Sequence, residues 1–127
     1  MAGNLQHTHS VQTQGAGTLS IRGASVQGNA MPGFSQAIPA STTNLQISMP
    51  PITLANLLSI IITTDAAITL KTNSTGSPQD TISIAAGGAF IWQTGSGNAA
   101  PFAGNVTSWY VSTGGTLANV QASALTT

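Results

Sequence analysis

The sequence predicts an all-β fold, an antiparallel β-sandwich or jelly-roll-like barrel with an extended N-terminal arm, and three observations carry that prediction. Short segments of alternating apolar and polar residues recur at intervals of roughly 8 to 12 residues, with Gly, Pro and Asn between them. The most apolar segment, residues 57–62 (LLSIII), carries the β-branched Ile60, Ile61 and Ile62, which are stiff at χ1 and suit a pleated sheet. Helix signals are nearly absent.

In chain order, residues 5–22 alternate weakly, with Leu19 and Ile21 on one side and Thr18, Ser20 and Arg22 on the other, after a Gly15-Ala16-Gly17 break. Such apolar-poor sequence fits an edge strand or an arm laid on something else. Residues 1–17 are therefore assigned as the arm and 18–127 as the sandwich domain, and an ordered start to the arm would imply a neighbouring subunit holding it. Residues 23–43 contain two prolines and no sustained period, and read as a long surface loop. Residues 44–49 alternate, with Leu45, Ile47 and Met49 inward, and Pro50-Pro51 ends that strand because proline cannot donate to a ladder.

Residues 52–56 read as a short turn feeding the apolar run at 57–62. Thr64-Asp65-Ala66 predicts a tight reversal into 67–72, where Ile68 and Leu70 share a face, so the two runs form a central hairpin. After an exposed loop at 74–79, residues 80–85 place Ile82 and Ile84 together, and Gly87-Gly88 turns the chain into 89–93, where Phe90 and Trp92 share a face. Residues 94–105 read as a second long loop with Phe102 near its centre. Trp109 and Val111 then oppose Ser108 and Tyr110, Gly114-Gly115 makes a last hairpin turn, and Ala118, Val120, Ala122 and Ala124 form a face of small side chains suited to close sheet packing.

At 127 residues the chain is long enough for one domain with a core that needs no disulfide, and it contains no cysteine. Charge is more informative. Arg22, Lys71, Asp65 and Asp80 are the only charged side chains, 3% of residues, where about a quarter is usual in soluble chains. With zero net charge, neither a basic nucleic-acid footprint nor a polybasic membrane patch can form. There is no apolar run of about twenty residues, and the opening MAGNLQHTHS lacks the basic start and apolar middle of a secretory signal. Nucleic acid and membrane are thus not expected partners. Sheet edges are usually shielded by charge, so a chain with so little must cover them by packing, and a homo-oligomer is expected.

His7 and His9 form an H-x-H pair whose rings would project to one side of a strand, a weak candidate for a metal site that oligomer symmetry would have to complete. Asp65 and Asp80 are the only acids, but a turn and a strand start are ordinary places for Asp to satisfy backbone donors. With no Cys nucleophile, nucleophile elbow, P-loop or dinucleotide fingerprint, an enzyme and a cofactor are not expected. Asn73-Ser74-Thr75 and Asn105-Val106-Thr107 match the glycosylation pattern, which arises readily by chance in a chain this rich in Ser and Thr. Candidate interface residues are Leu5 and Val11 on the arm, Met31, Phe34 and Ile38 in the first long loop, and Phe102, Trp109 and Tyr110, since aromatic residues favour interface centres. A sugar-stacking face built from Trp109, Tyr110 and Phe102 is the alternative use of those rings.

The segment LKTNSTGSPQDTI at 70–82, the Phe90-Ile91-Trp92 strand, the Pro-Phe loop at 101–102 and the NVTSWYV strand leading through Gly to a final Asn-Val strand occur in a distinctive order. Over residues 60–125 that order resembles small virion proteins of tailed bacteriophages. The resemblance implies a small β-sandwich or jelly-roll-like subunit of the particle, a decoration or cement protein on the head. It would be made in the host cytoplasm, with the major capsid protein or other virion subunits as partners. A tail or fibre-associated carbohydrate-binding module, or a head-to-tail component, is the alternative it leaves open. The first half of the chain departs from that pattern, and no residue role carries over.

Overall fold

The computed structural model describes residues 5–9 and 24–127. Ten strands account for most of this length: β1 (Leu5–His9), β2 (Ala24–Gly28), β3 (Gly33–Ile38), β4 (Leu45–Ile47), β5 (Leu57–Thr64), β6 (Ile68–Thr72), β7 (Thr81–Ile84), β8 (Ala89–Gln93), β9 (Trp109–Thr113) and β10 (Ala118–Thr126). A single 3-10 turn, Leu54–Asn56, leads into β5, as the short turn predicted there requires.

Eight of the strands build two four-stranded antiparallel sheets, in the orders β3-β10-β5-β8 and β4-β9-β6-β7. Apart from β6–β7, every pair of consecutive strands from β3 to β10 lies in opposite sheets, which is the double Greek-key arrangement of an eight-stranded jelly roll. The expected all-β sandwich is therefore present. Its connections differ from the expectation at three places. The turns at 65–67, 85–88 and 114–117 are arches that carry the chain from one sheet to the other, not hairpins within a sheet. A strand with one buried face looks the same in sequence either way. Here Ile60 and Ile62 of β5 look across the core at Ile68 and Leu70 of β6 instead of lying beside them.

The core follows the period-2 pattern. Ile38, Ile60, Ile62, Val120 and Ala124 from the first sheet meet Ile47, Ile68, Leu70, Ile84, Trp109 and Val111 from the second, all essentially closed to solvent. Phe90, Trp92 and Ala122 pack against this cluster and Met49 is buried in it, as the alternation predicts, whereas Leu45 at the start of edge strand β4 is exposed.

The first long loop expected at 23–43 is instead two strands, β2 and β3, joined by a short link at 29–32. Alternation is a weak guide here because β3 is an edge strand: within Gly33–Ile38 only Ile38 is fully buried. Backbone pairing, not side-chain pattern, makes it a strand, through β10 from Ala118↔Ile38 to Ser123↔Gly33. Residues 5–9 of the expected arm also join the fold. They pair with β2 in a two-stranded ribbon, Leu5↔Gly28 to His9↔Ala24, so the arm does not extend freely from residue 5 to residue 9. The rest of the predicted arm, including Met1 and Val11, lies outside the described residues, as do Leu19 and Ile21.

Candidate functional site

Ile60 and Ile62 point into the core, so Ser59 and Ile61 point the other way, onto the outer face of the first sheet. On β10 the same parity puts Ser123 and Leu125 on that face, with Ser123 opposite Ile61 and Leu125 opposite Ser59. Ser59 and Leu125 are nonetheless 0% exposed, because the β1–β2 ribbon sits on them. His7 is the pin: its Nδ1 lies 3.0 Å from the Ser59 hydroxyl and its Nε2 2.9 Å from the Ser123 hydroxyl. A neutral imidazole has one donor and one acceptor nitrogen, and a serine hydroxyl can serve either, so both are satisfied in either tautomer.

The ribbon reaches this depth because of Gly28. A Cβ there would stand 2.7 Å from the Thr126 carbonyl oxygen and 2.8 Å from Leu125 Cγ. The chain after Gly28 is then stitched to the end of β10: the N–H groups of Asn29 and Ala30 donate to Thr126 O, Thr126 N donates to Ala30 O, and Ala124 N donates to Pro32 O. The ribbon covers only part of the face. Beside it a groove of about 460 Å³ remains, walled by His7, Met31, Phe34 and Ser123 and floored by Ile61 and Thr63.

The sequence-predicted sites fall in different places. His7 is committed to two serine hydroxyls rather than poised for a metal, and among the described residues no group of three or more His, Cys, Asp or Glu side chains could hold an ion. His9 pairs with Ala24 and its side chain lies outside the described set. Phe102 and Trp109 are core residues, 3% and 1% exposed, in edge-to-face contact with ring centroids 5.3 Å apart. Neither can anchor a partner or stack on a sugar. The loop between β8 and β9 brings Phe102 into the core against Trp109. Ile38 is likewise buried in the core at 0% exposure. Leu5 and Met31 are exposed, Phe34 borders the groove but is partly buried and packs against the core, and Tyr110 lies half-buried on the outer face of the second sheet between Gln46 and Lys71. Val11 is outside the described residues.

Neither aspartate faces the other. Asp65 accepts from the N–H and side-chain amide of Asn119 at 2.7 and 2.6 Å, and this holds its carboxyl below the usual carboxylate range, the side-chain bond contributing most. Asp80 accepts from Thr72, Gln79 and the N–H of Ala103. Both acids fasten loops, as expected, but to partners far along the chain as well as to local donors. Asn73, in the left-handed region at φ 67°, is a third fastener: its amide donates to Asn105 O and Gln79 Oε1, while its oxygen accepts from Thr107. A glycan on that nitrogen would break the clamp.

What the sequence reading missed is the ribbon seat, Ser59, Ser123, Leu125 and Gly28, and which strands form the sheet edges. A serine inside LLSIII was the available signal, since a polar residue in an otherwise buried strand needs a partner. The four edge strands of the two four-stranded sheets, β3 (GFSQAI), β4 (LQI), β7 (TISI) and β8 (AFIWQ), carry no charged residue and no proline. No family model, curated protein or solved structure matches the chain.

Proposed function

We propose that the chain is a structural subunit of a tailed-bacteriophage particle, a decoration or cement-type protein that bridges neighbouring capsid subunits and performs no catalysis. One observation supports this reading above others: four sheet edges without a single charged side chain to keep another strand away. The jelly roll is compatible with the reading by analogy only, since that architecture also serves lectins and cupins. The mechanism would be mechanical. Each copy buries edge and apolar surface against the shell, and a stable contact of this kind covers about 1,200–2,000 Å².

Because Lys71, Asp65, Asp80 and Arg22 are the only charges, docking should depend little on salt. The test adds purified chain to phage heads lacking it and measures co-sedimentation at about 0.05 and 0.5 M NaCl. Retention at both concentrations is the expected result. No binding, or release at the higher salt, would remove the reading.

A further inference from the structure

The edge of β8 is built to pair with itself. In the β5–β8 ladder Thr94 N donates to Leu58 O at 2.8 Å and Thr64 N donates to Gly88 O at 3.3 Å, two pairs in the same register as Ile60↔Trp92 and Ile62↔Phe90. Antiparallel ladders alternate bonded and non-bonded pairs, so the main chains of Phe90 and Trp92 face β5. Those of Ala89, Ile91 and Gln93 face away, onto an edge that pairs with no other described strand. The outward groups are spaced evenly about Ile91. That is the symmetry an antiparallel pair of identical strands requires.

The side chains agree with the backbone. Phe90 and Trp92 pack against the core, which leaves Ile91 on the outer face, 54% exposed and the most exposed of the large apolar side chains among the described residues. The flanking stretches at 85–87 and 94–100 are largely exposed and do not cover it. The other edges are poorer templates: β4 has three residues and β7 four, while β3 lies between Pro32 and Pro39. A second copy of β8 also meets no repulsion, because the strand has no charge.

We propose that two copies of this chain associate through β8 about a two-fold axis at Ile91, with Ile91 opposite Ile91 and Ala89 opposite Gln93, joining the two β3-β10-β5-β8 sheets into one eight-stranded sheet. The occupant of the edge is thus a second copy of the chain. The inference rests on the geometry of β8 and not on the virion reading, so either can fail without the other.

The absence of native cysteine makes the test clean. In a bonded antiparallel pair the Cα atoms are about 5.5 Å apart, within the span of a disulfide. Full-length Ile91→Cys should therefore cross-link to twice 12.7 kDa under mild oxidation. Ala89→Cys alone should not, since two copies of residue 89 lie about 14 Å apart in this register, but a mixture of Ala89→Cys and Gln93→Cys should. Sedimentation of the unmodified chain should show mass rising toward twice 12.7 kDa with concentration. Ile91→Lys, which sets two like charges side by side, should weaken that association by more than about tenfold. A chain that stays monomeric, an Ile91→Lys variant that associates as well as the parent, or cross-linking through Ala89→Cys alone would overturn the proposal.

Discussion

Replacing Gly28 by alanine tests whether the β1–β2 ribbon is seated as described. The added methyl would lie 2.7 Å from Thr126 O and 2.8 Å from Leu125 Cγ, closer than real Cβ atoms come to such neighbours. Neither neighbour can retreat easily: Thr126 O already accepts from Asn29 and Ala30, and Leu125 is 0% exposed. The chain has two ways to respond. Lifting the ribbon would expose Leu125 and release the two His7 hydrogen bonds, a cost of about 3.5–5 kcal/mol. Tolerating the overpacked methyl costs about 1–3 kcal/mol. The second is cheaper, so the ribbon should stay in place under strain and Gly28→Ala should lose about 1–3 kcal/mol. Urea unfolding followed by fluorescence of the two tryptophans measures this, with amide exchange in β1 and β2 reporting the ribbon itself. Gly114→Ala is the control: its Cβ meets nothing within 4 Å, so a change under about 0.5 kcal/mol is expected. Equal stabilities for the two variants would refute the seat, as would free exchange of the ribbon amides in Gly28→Ala.

Two further outcomes can be checked on the same protein. Trp109 donates its indole N–H to Pro50 O at 3.3 Å and is 1% exposed, whereas the indole N–H of Trp92 is buried with no acceptor among the described residues. Trp109→Phe should therefore cost at least about 2 kcal/mol in urea titrations, while Trp92→Phe should stay within about 1 kcal/mol of the parent, because it removes an unsatisfied donor along with some packing. The reverse order would contradict the packing described. Asp65, whose carboxyl Asn119 holds below its ordinary value of 3.8, should contribute stability that is present above that value and lost as pH falls through the lower folded-state value. Comparing urea midpoints of the parent and Asp65→Asn between about pH 7 and pH 2 should show the gap between them narrowing in the acid range. A gap independent of pH would show that the carboxylate's charge is not what Asn119 recognises.

The inward faces of several strands were legible in the residues alone. Ile68 and Leu70, Phe90 and Trp92, and Val120 and Ala124 turn inward as their spacing demands, because the two-residue repeat belongs to each strand's own pleat, whereas nothing within LLSIII marked Ile60 and Ile62 rather than Ile61 as the inward pair. The scarcity of charge, and with it the unguarded edges, is equally a property of the composition. Which strands are neighbours was settled by long-range packing. Whether Thr64-Asp65-Ala66 closes a hairpin or arches to a second sheet depends on what Ile60 and Ile68 meet across the core, and neither residue's local pattern encodes that. The same holds for the site. His7 was at most a weak metal candidate in the sequence, and its ring lies between Ser59 and Ser123, 52 and 116 positions away. Phe102 and Trp109 were candidate anchors in the sequence, and both lie in the core with their rings edge to face. Pleating is local and written residue by residue, while partner choice follows from which apolar faces can exclude water together.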